Sequence, residues 1–323
     1  MSVADTSKNF KRKYEDMLRR FLQDISFKAL PVRYDPSTES AVVKYLQARD
    51  FAPDFIQHYM PVVRVGAWIA TSTYPFVPAR VQEAIAIFTT LAVIIEDTSE
   101  ESLMDLKLFQ DRLLRNQPQP NQVLESMIQF LYSLRGMYGP FLSDMITKAT
   151  VEFVSVCAFE QVYDGIFAAA SSTPDFPYYL RFKTGLGEAY SFFAFPECMY
   201  PEDVFLRTYL PAAPYIVRYF NIGNDFLSFY KESIVSDERL NYVHNCSRAS
   251  SVTPAQALQD ACSSLIDSVR TVREVLAADP QMLNNIDKLF YGYVMFHFGS
   301  ARYKLSELGI SEVDEVREQV CCP

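Results

Sequence analysis

Glycine and histidine are scarce in this 323-residue chain, which contains 10 of the first and 3 of the second. The few glycines, and apolar residues that recur at helical rather than alternating intervals, favour an all-α protein over one rich in tight β-turns. The six cysteines form no CxxC pair and the histidines are few, so the sequence indicates neither a zinc site nor a disulfide framework. We therefore expect a helical protein in a reducing compartment.

Clusters of basic residues and long apolar runs are also missing. The net charge is -9 and the lysines and arginines are scattered, which argues against a nucleic-acid partner, because phosphates favour a basic stripe. The uncharged run from Ala84 to Ile95 is well short of the roughly 20 residues that a membrane span needs. The N-terminal stretch MSVADTSKNFKRKYEDM lacks the apolar core of a signal peptide. We expect a cytoplasmic protein with no membrane span.

Aromatic residues are abundant, with 25 Phe and 20 Tyr, and they lie on segments of helical length separated by prolines. Apolar residues in these segments recur at i, i+3, i+4 and i+7. No repeat, low-complexity linker or shift in composition divides the chain, so residues 1–323 are expected to form a single domain. The pattern predicts helices near residues 8–26, 38–49, 54–73, 78–96, 100–116, 121–137, 140–170, 175–195, 203–232, 255–278 and 281–307.

The stretch IIEDTSEES places four carboxylates after an apolar helix, at the end where the helix macrodipole is negative. Glu96 and Glu100 share a face if the helix continues through them, and their hard oxygen ligands suit Mg²⁺, with Asp97 as a further donor. A metal-free alternative is a capping box, in which Thr98 caps the next helix and Glu101 follows three residues later. The stretch by itself leaves both interpretations open.

In the stretch NDFLSFYKE, Asn224, Ser228 and Glu232 recur at intervals of four residues along an otherwise apolar helix. Each interval turns an α-helix by only about 40°, so the three oxygen-bearing side chains are expected to line one face, with Lys231 close to it. An amide oxygen, a hydroxyl and a carboxylate can together hold one Mg²⁺ and leave coordination positions open for a ligand. The alternative is that this face simply points to solvent.

Cationic side chains lie near two further features of the helical pattern. Arg181 precedes Gly185 and Gly187, and each glycine weakens a helix interior by about 1 kcal/mol, so a break or a close backbone approach is expected there. Arg302 and Tyr303 follow an aromatic helix, and both can donate hydrogen bonds to phosphate oxygens. Ordinary surface or snorkelling arginines are the alternative. Together with the acidic groups, these donors are typical of a diphosphate site.

These motifs resemble those of class I terpene cyclases, in particular sesquiterpene cyclases of the trichodiene synthase type, and the resemblance covers most of the chain. EDTSE stands where that family has its aspartate-rich metal motif, although Glu96 occupies a position that is usually Asp. The resemblance implies Mg²⁺ ligands at Glu96, Asp97, Glu100, Asn224, Ser228 and Glu232, diphosphate contacts at Arg181, Lys231, Arg302 and Tyr303, and Thr184 and Gly185 as the linker and effector positions after the diphosphate-sensing arginine.

The resemblance further implies an α-helical bundle around an apolar cavity, a cluster of three Mg²⁺ ions and farnesyl diphosphate as the substrate. Ionisation of the allylic C–O bond gives a carbocation, which such enzymes cyclise to a hydrocarbon through a humulyl-type or a bisabolyl-type ring closure. A homodimer is also suggested. Aromatic faces can stabilise the carbocation, with plain core packing as the alternative role for each ring. The candidates are Phe88, Tyr291, Phe296 and Trp68.

Two other functions stay open at this point. A prenyl chain-elongating synthase shares the fold and the metal-diphosphate chemistry, but it would carry aspartate-rich motifs on both metal helices, whereas the second motif here is of the Asn/Ser/Glu kind. A non-catalytic helical relative that binds diphosphate also remains, because Glu96 departs from the usual Asp. Glu96 is the predicted ligand of the first motif, and Asp97 is the second choice.

Overall fold

The computed structural model describes residues 3–163, 170–236, 238–239 and 241–319. Every regular element in these ranges is helical and none is a strand, so the predicted all-α class is confirmed. None of the described helices is both long enough and apolar enough to cross a membrane. The first half of the chain contains helices α1 Val3–Asp24, α2 Pro36–Gln47, α3 Pro53–His58, α4 Met60–Thr73, α5 Ala79–Asp97, α6 Leu103–Leu114, α7 Gln122–Ser133 and α8 Pro140–Val162.

The second half contains several shorter helices and one π-helical segment, Tyr230–Val235. This segment continues directly from the end of α12, without an intervening loop. The helices are α9 Phe176–Thr184, α10 Gly187–Phe192, α11 Glu202–Tyr209, α12 Ala213–Phe229, α13 Tyr242–Ser250, α14 Pro254–Val275, α15 Pro280–Gly299 and α16 Ser311–Gln319. Turns of 3₁₀-helix lie at Leu134–Gly136, Leu210–Ala212, Ala301–Tyr303 and Leu305–Leu308.

Prolines begin several of these helices, as their spacing in the sequence indicates. Pro36 and Pro280 occupy the first positions of α2 and α15, where the missing N–H has no helical partner in any case. The preceding aspartates, Asp35 and Asp279, accept hydrogen bonds from backbone N–H groups of the first turn. Local sequence therefore determines where these helices start.

Three of the predicted helices are each divided in two. Helices α3 and α4 replace the single helix expected at 54–73. The helix expected at 175–195 is interrupted at Leu186, which has a left-handed φ of 50°. The helix expected at 203–232 is interrupted by a 3₁₀ turn that contains Pro211, which lacks the N–H that a continuous helix needs.

Helix ends were predicted less accurately, and two helices were missed. The helix predicted at 281–307 is wrong beyond Gly299, where 3₁₀ turns follow. Helix α8 ends at Val162, and residues 164–169 of the helix predicted at 140–170 lie outside the described residues. Helices α13 and α16 have only nine residues each and are polar on average, so each is too short to show the apolar pattern over several turns.

Buried apolar side chains form one contiguous cluster that extends from Tyr14 to Val316. Helices α4 and α15 approach closely within it, since a Cβ at Gly292 would lie 2.0 Å from the carbonyl oxygen of Ser72. Trp68 on α4 donates a hydrogen bond from Nε1 to the carbonyl oxygen of Phe296 on α15, at 3.1 Å. This packing places the C-terminal ends of α5 and α15 beside the same pocket.

Candidate active site

A pocket of about 220 Å³ lies among the C-terminal end of α5, helix α9, the junction of α12 with the π-helical segment and the turn after α15. An adjoining opening of about 320 Å³ shares part of its wall and continues to Glu160 and Glu238. The fold thus brings together side chains that are far apart in the sequence. Of the predicted site residues, those lining the first pocket are Glu96, Arg181, Thr184, Gly185, Asn224, Lys231, Glu232, Phe296, Arg302 and Tyr303.

Helix α12 and the π-helical segment carry Asn224, Ser228 and Glu232. Asn224 and Glu232 line the pocket, whereas Ser228 is fully buried, with its hydroxyl close enough to the carboxyl of Glu232 to lower the pKa of that group. A π-helix holds more residues per turn than an α-helix, so it rotates Glu232 back toward Asn224 instead of further around the helix. The π-helical segment therefore keeps Asn224 and Glu232 on the same wall.

The surroundings of Glu232 disfavour its negative charge. Burial raises the pKa of this carboxyl from its ordinary value of 4.5 to about 7, and the carboxylates of Asp225 and Glu238 act in the same direction. Lys231 opposes the rise in pKa. An added positive charge at this position would relieve the repulsion.

Arg181 projects from α9 against α12, and its side chain is 17% exposed. Its Nε donates to the carbonyl oxygen of Asn221 at 3.1 Å and pairs with Asp225 Oδ2 at 2.5 Å. Its Nη2 donates to Asn224 Oδ1 at 3.0 Å, and Nη1 lies 3.4 Å from Thr184 Oγ1. The guanidinium therefore connects α9 to the oxygen-bearing face of α12. Asp225 was not among the predicted site residues, although it follows Asn224 directly.

Helix α9 ends at the break expected from Gly185 and Gly187, and the reason for both glycines is a close approach to α12. A Cβ would lie 2.2 Å from Asn221 Oδ1 at the first position and 2.3 Å at the second. Asn221 is fully buried, and neither its Oδ1 nor its Nδ2 has a hydrogen-bond partner among the described residues. The sequence did contain a signal for Asn221. It lies one turn before Asn224, and residues three apart share a helix face.

The acidic motif is divided between the pocket and the surface. Glu96, Asp97 at the end of α5 and Glu100 in the following turn are all exposed residues, but of the three only Glu96 is part of the pocket lining. Because α5 ends at Asp97, Glu96 and Glu100 do not lie on one continuous helical face. The structure thus places Glu96 at the pocket and the other two predicted acids outside it.

The metal-free interpretation of the same stretch, a capping box, is wrong. Thr98 donates from Oγ1 to the carbonyl oxygen of Ile94 at 2.7 Å, so its hydroxyl closes α5. Helix α6 begins after Ser102 instead, and no side chain caps it. Glu101 therefore has no capping role for Thr98.

Two acids, Glu96 and Glu160, line the adjoining opening. Burial and the neighbouring Asp97 raise the pKa of Glu96, while Arg181 opposes the rise. Glu160 on α8 lines the adjoining opening, and burial together with Glu96 raises its pKa to about 7. Sequence reasoning missed Glu160, because an isolated glutamate on a helix carries no spacing signal.

The rings at the pocket are partly those predicted. Phe296 lines it, together with Tyr190, Phe220 and Tyr293, which were not predicted. The rings of Phe220 and Tyr293 contact each other with centroids 4.7 Å apart. Helix spacing was the missed signal, since Phe220 lies four residues before Asn224 and Tyr293 three before Phe296.

Three other predicted aromatic residues lie outside the pocket lining. Phe88 is fully buried and packs on Phe193, with ring centroids 5.0 Å apart. Tyr291 accepts a hydrogen bond at its hydroxyl from Arg273 Nη2, at 3.0 Å, on another side of α15. Trp68 lies behind Phe296. These positions are those of packing residues.

Tyr303 closes the pocket at the turn after α15. It is buried against His297 and Phe296, with ring centroids 4.4 and 5.8 Å away. Arg302 precedes it, and Lys231 belongs to the π-helical segment, so two cations and a phenol meet at this wall. Charged groups and aromatic rings therefore line the same pocket.

The overall fold is that of terpene synthases. A solved structure of linalool/nerolidol synthase from Streptomyces clavuligerus, in complex with 2-fluorogeranyl diphosphate, aligns with a TM-score of 0.62. The alignment covers 85% of this chain and 99% of that one, at 15% sequence identity. At this identity the likeness establishes the fold alone.

Sequence comparison establishes the family. The model of the family described as Trichodiene synthase (TRI5) matches residues 14–320. An (E)-beta farnesene synthase of Metarhizium brunneum is 58% identical over 314 residues, which cover 97% of this chain and 95% of that protein. A longiborneol synthase of Gibberella zeae is 26% identical over 311 residues, covering 95% and 91%. The chain belongs to the trichodiene synthase (TRI5) family and is a terpene synthase, a lyase, so the resemblance inferred from its motifs is confirmed.

Proposed function

We propose that this terpene synthase uses Mg²⁺ to ionise farnesyl diphosphate and releases a sesquiterpene hydrocarbon and diphosphate. The observation that carries the proposal is the single pocket in which Glu96, Asn224 and Glu232 meet Arg181 and a set of aromatic rings. The name of the 58% identical relative supports a farnesyl substrate. The name of the bound ligand in the structural relative supports a prenyl diphosphate more generally.

The oxygen donors at the pocket fit a hard divalent cation. Ser228 Oγ is buried close enough to the carboxyl of Glu232 to lower the pKa of that group by a hydrogen bond, and Asn224 adds an amide oxygen from the same stretch of helix. The described residues contain no group of three or more His, Cys, Asp or Glu side chains placed to hold a metal, so amide and hydroxyl oxygens would have to contribute. We propose Asn224, Ser228 and Glu232 as one set of ligands and Glu96 as the donor opposite, within a cluster of three Mg²⁺ ions.

Bound Mg²⁺ would supply Lewis-acid stabilisation of the departing diphosphate. The chain itself supplies preorganised donors for the same charge, because Arg181, Lys231, Arg302 and Tyr303 all line the pocket. Their hydrogen-bonding groups come from α9, the π-helical segment and the turn after α15, so they surround a diphosphate on several sides. In this proposal the four residues bind and orient the leaving group.

The carbocation left behind needs an environment that is electron-rich and dry. Tyr190, Phe220, Tyr293 and Phe296 present aromatic rings to the pocket, and ring faces attract cations. Tyr190 donates its hydroxyl hydrogen bond to Thr89 at 3.0 Å, so this phenol already has a partner within the protein. We assign these rings to cation stabilisation and to the exclusion of water.

For the product, we propose an acyclic hydrocarbon, a farnesene, in place of the cyclised hydrocarbon expected from the resemblance. The relative at 58% identity is named an (E)-beta farnesene synthase, and farnesene contains no ring. The balanced reaction breaks the allylic C–O bond, removes one proton from the farnesyl cation and releases diphosphate. No carbon–carbon bond forms.

The test is incubation of the purified protein with geranyl, farnesyl and geranylgeranyl diphosphates and Mg²⁺, followed by gas chromatography and mass spectrometry of the volatile products. A farnesene from farnesyl diphosphate is the expected result. Humulyl-derived or bisabolyl-derived hydrocarbons would disprove the acyclic product and keep the synthase function. A longer prenyl diphosphate would indicate chain elongation, and no turnover of any substrate would indicate a non-catalytic protein.

A further inference from the structure

The guanidinium of Arg181 donates a hydrogen bond to an oxygen atom that the proposed metal site needs as a ligand. Its Nη2 donates to Asn224 Oδ1 at 3.0 Å, and this oxygen is the amide ligand in the set with Ser228 and Glu232. The hydrogen bond is one of several that fix the guanidinium, since Nε also donates to Asn221 and Asp225. In the conformation described here, the candidate metal ligand is therefore already bound to a cation of the protein.

Asp225 anchors the guanidinium in this position. Its side chain is only 7% exposed, and while Oδ2 pairs with Arg181, Oδ1 accepts a hydrogen bond from the backbone N–H of Tyr242 at 3.1 Å. A buried ion pair with a fixed carboxylate is not given up without a replacement partner, because removing one member leaves an uncompensated charge. Arg181 therefore needs an anion in the pocket before it can leave Asn224.

We propose that Arg181 blocks the metal site formed by Asn224, Ser228 and Glu232 until a diphosphate in the pocket draws the guanidinium away. This inference rests on the proposed function of the same residues as metal ligands. A divalent cation and a guanidinium on one amide oxygen repel each other, and the repulsion is strong where little water screens it. Metal binding at this face then depends on diphosphate, and the diphosphate by linkage binds better when the metal is present.

Diphosphate is a suitable replacement partner for Arg181. Arginine binds phosphate oxygens with strong, charge-assisted hydrogen bonds, and Lys231 and Arg302 line the same pocket and attract the same anion. The contact of Nη1 with Thr184 is long, at 3.4 Å, so little is lost there when the guanidinium moves. The order of events that follows is diphosphate first and the metal of this face second.

The test measures the binding of Mn²⁺, as a paramagnetic substitute for Mg²⁺, from the loss of the free-ion EPR signal in the absence of diphosphate. The proteins are the wild type, Arg181→Gln and Arg181→Lys. Both variants should bind Mn²⁺ at least about fivefold more tightly than the wild type, because a hydrogen bond between the ligand oxygen and a charged donor no longer has to be broken. Arg181→Lys keeps a cation for Asp225. It is therefore the variant to measure if circular dichroism shows that Arg181→Gln is unfolded.

The matched control is Arg302→Gln, which removes a positive charge from the same pocket and leaves Asn224 bound to Arg181. It should raise Mn²⁺ affinity clearly less than the Arg181 variants do, because it relieves charge repulsion but frees no ligand oxygen. The blocking role is overturned if Arg302→Gln raises Mn²⁺ affinity as much as the Arg181 variants do, or if neither Arg181 variant raises it. Glu232→Gln, added to each protein, separates this failure from a failure of the proposed function. If Glu232→Gln leaves the number of bound Mn²⁺ ions unchanged, the metal site on Asn224, Ser228 and Glu232 is contradicted. If Glu232→Gln removes one bound ion but the Arg181 variants have no effect, only the blocking role is contradicted.

Discussion

Several side chains at the pocket are held in states that cost free energy of folding. Both amide atoms of Asn221 are buried without hydrogen-bond partners in the described residues, and Glu232 is an acid with a raised pKa. Each unsatisfied buried group costs roughly 1–3 kcal/mol, and such costs are concentrated at functional sites. The stability of the ligand-free protein should therefore improve when one of these groups is replaced, at the expense of activity.

Glu232→Gln is expected to stabilise the metal-free protein at pH 8 more than at pH 5. The pKa of Glu232 is about 7 in the folded protein and near 4.5 when the chain is unfolded, so folding is penalised increasingly as the pH rises from 4.5 to 7 and fully above that. The glutamine has no such penalty. Thermal unfolding in the presence of a chelator should show a gain of about 2 °C or more at pH 8.

The control for this prediction is Glu315→Gln, at an exposed position on α16. It should alter thermal stability equally at both pH values. A gain for Glu232→Gln that is as large at pH 5 as at pH 8 would show that burial of its charge is not the cause. The same variant should form no detectable hydrocarbon.

Glu96→Gln should lower product formation roughly 100-fold or more, the scale seen when one preorganised stabilising group is removed. Among the acids of its motif, Glu96 lines the pocket, whereas Asp97 and Glu101 are not part of its lining. Asp97→Asn is therefore expected to retain much more activity than Glu96→Gln, and Glu101→Gln to match the wild type. Steady-state assays with farnesyl diphosphate at saturating Mg²⁺ decide this, and a larger loss for Asp97→Asn would make that residue the ligand.

At the scale of elements, the pocket is built where regular helices stop. Helix α5 ends at Asp97, α9 ends before the break at Gly185, α12 passes into a π-helical segment and α15 ends at Gly299. Helix ends expose side chains and backbone groups that a continuous helix would cover. The polar side chains of the pocket therefore lie at or near the ends of helices, and the rings of Phe220, Tyr293 and Phe296 belong to the long helices α12 and α15.

Gly187→Ala should destabilise the protein by roughly 1–3 kcal/mol, the usual range for overpacking. The new methyl group would lie 2.3 Å from Asn221 Oδ1 and 2.9 Å from the carbonyl oxygen of Val217, which belongs to the backbone of α12 and cannot rotate away. Chemical denaturation measures the change. The matched control, Gly223→Ala on α12, would meet Tyr293 at 3.4 Å and should show no comparable loss. Equal effects at the two positions would show that the α10–α12 approach is less rigid than described.

For the whole molecule, the excess of acidic residues lowers the stability of the folded chain most when no cation is bound in the pocket. The net charge is -9, and the acids Glu96, Glu160 and Glu232 border connected cavities with raised pKa values. Cations that bind only the folded state stabilise it by mass action. The free energy of unfolding should therefore increase when Mg²⁺ and diphosphate are added.

Thermal unfolding at pH 8 should shift upward more with Mg²⁺ and inorganic diphosphate together than the two separate shifts added. The physical reason is that each ligand improves the site for the other. Asn224→Leu, which removes the amide ligand and the acceptor of the Arg181 hydrogen bond, should abolish this excess shift. A purely additive effect in the wild type would argue against a shared site for metal and diphosphate.

Much of this protein followed from sequence alone. The all-α class, the starts of the proline-capped helices and the family were predictable, because capping, apolar periodicity and motif spacing are local properties of a chain. The break at Gly185 and Gly187 was predictable for the same reason. The grouping of Asn224 with Glu232 was also expected, although the π-helical segment, and not a regular α-helix, is what holds them on one wall.

Only the tertiary structure decided which acids and rings meet at the pocket. Glu160 and Tyr190 became part of it because α8 and α10 pack around the same space, and no spacing within one helix encodes a contact between helices. For the same reason Phe88, on an apolar helix like the others, became a packing residue. The hydrogen bond from Arg181 to Asn224 also depends on this packing, since two residues that far apart in sequence are brought together only when α9 folds against α12.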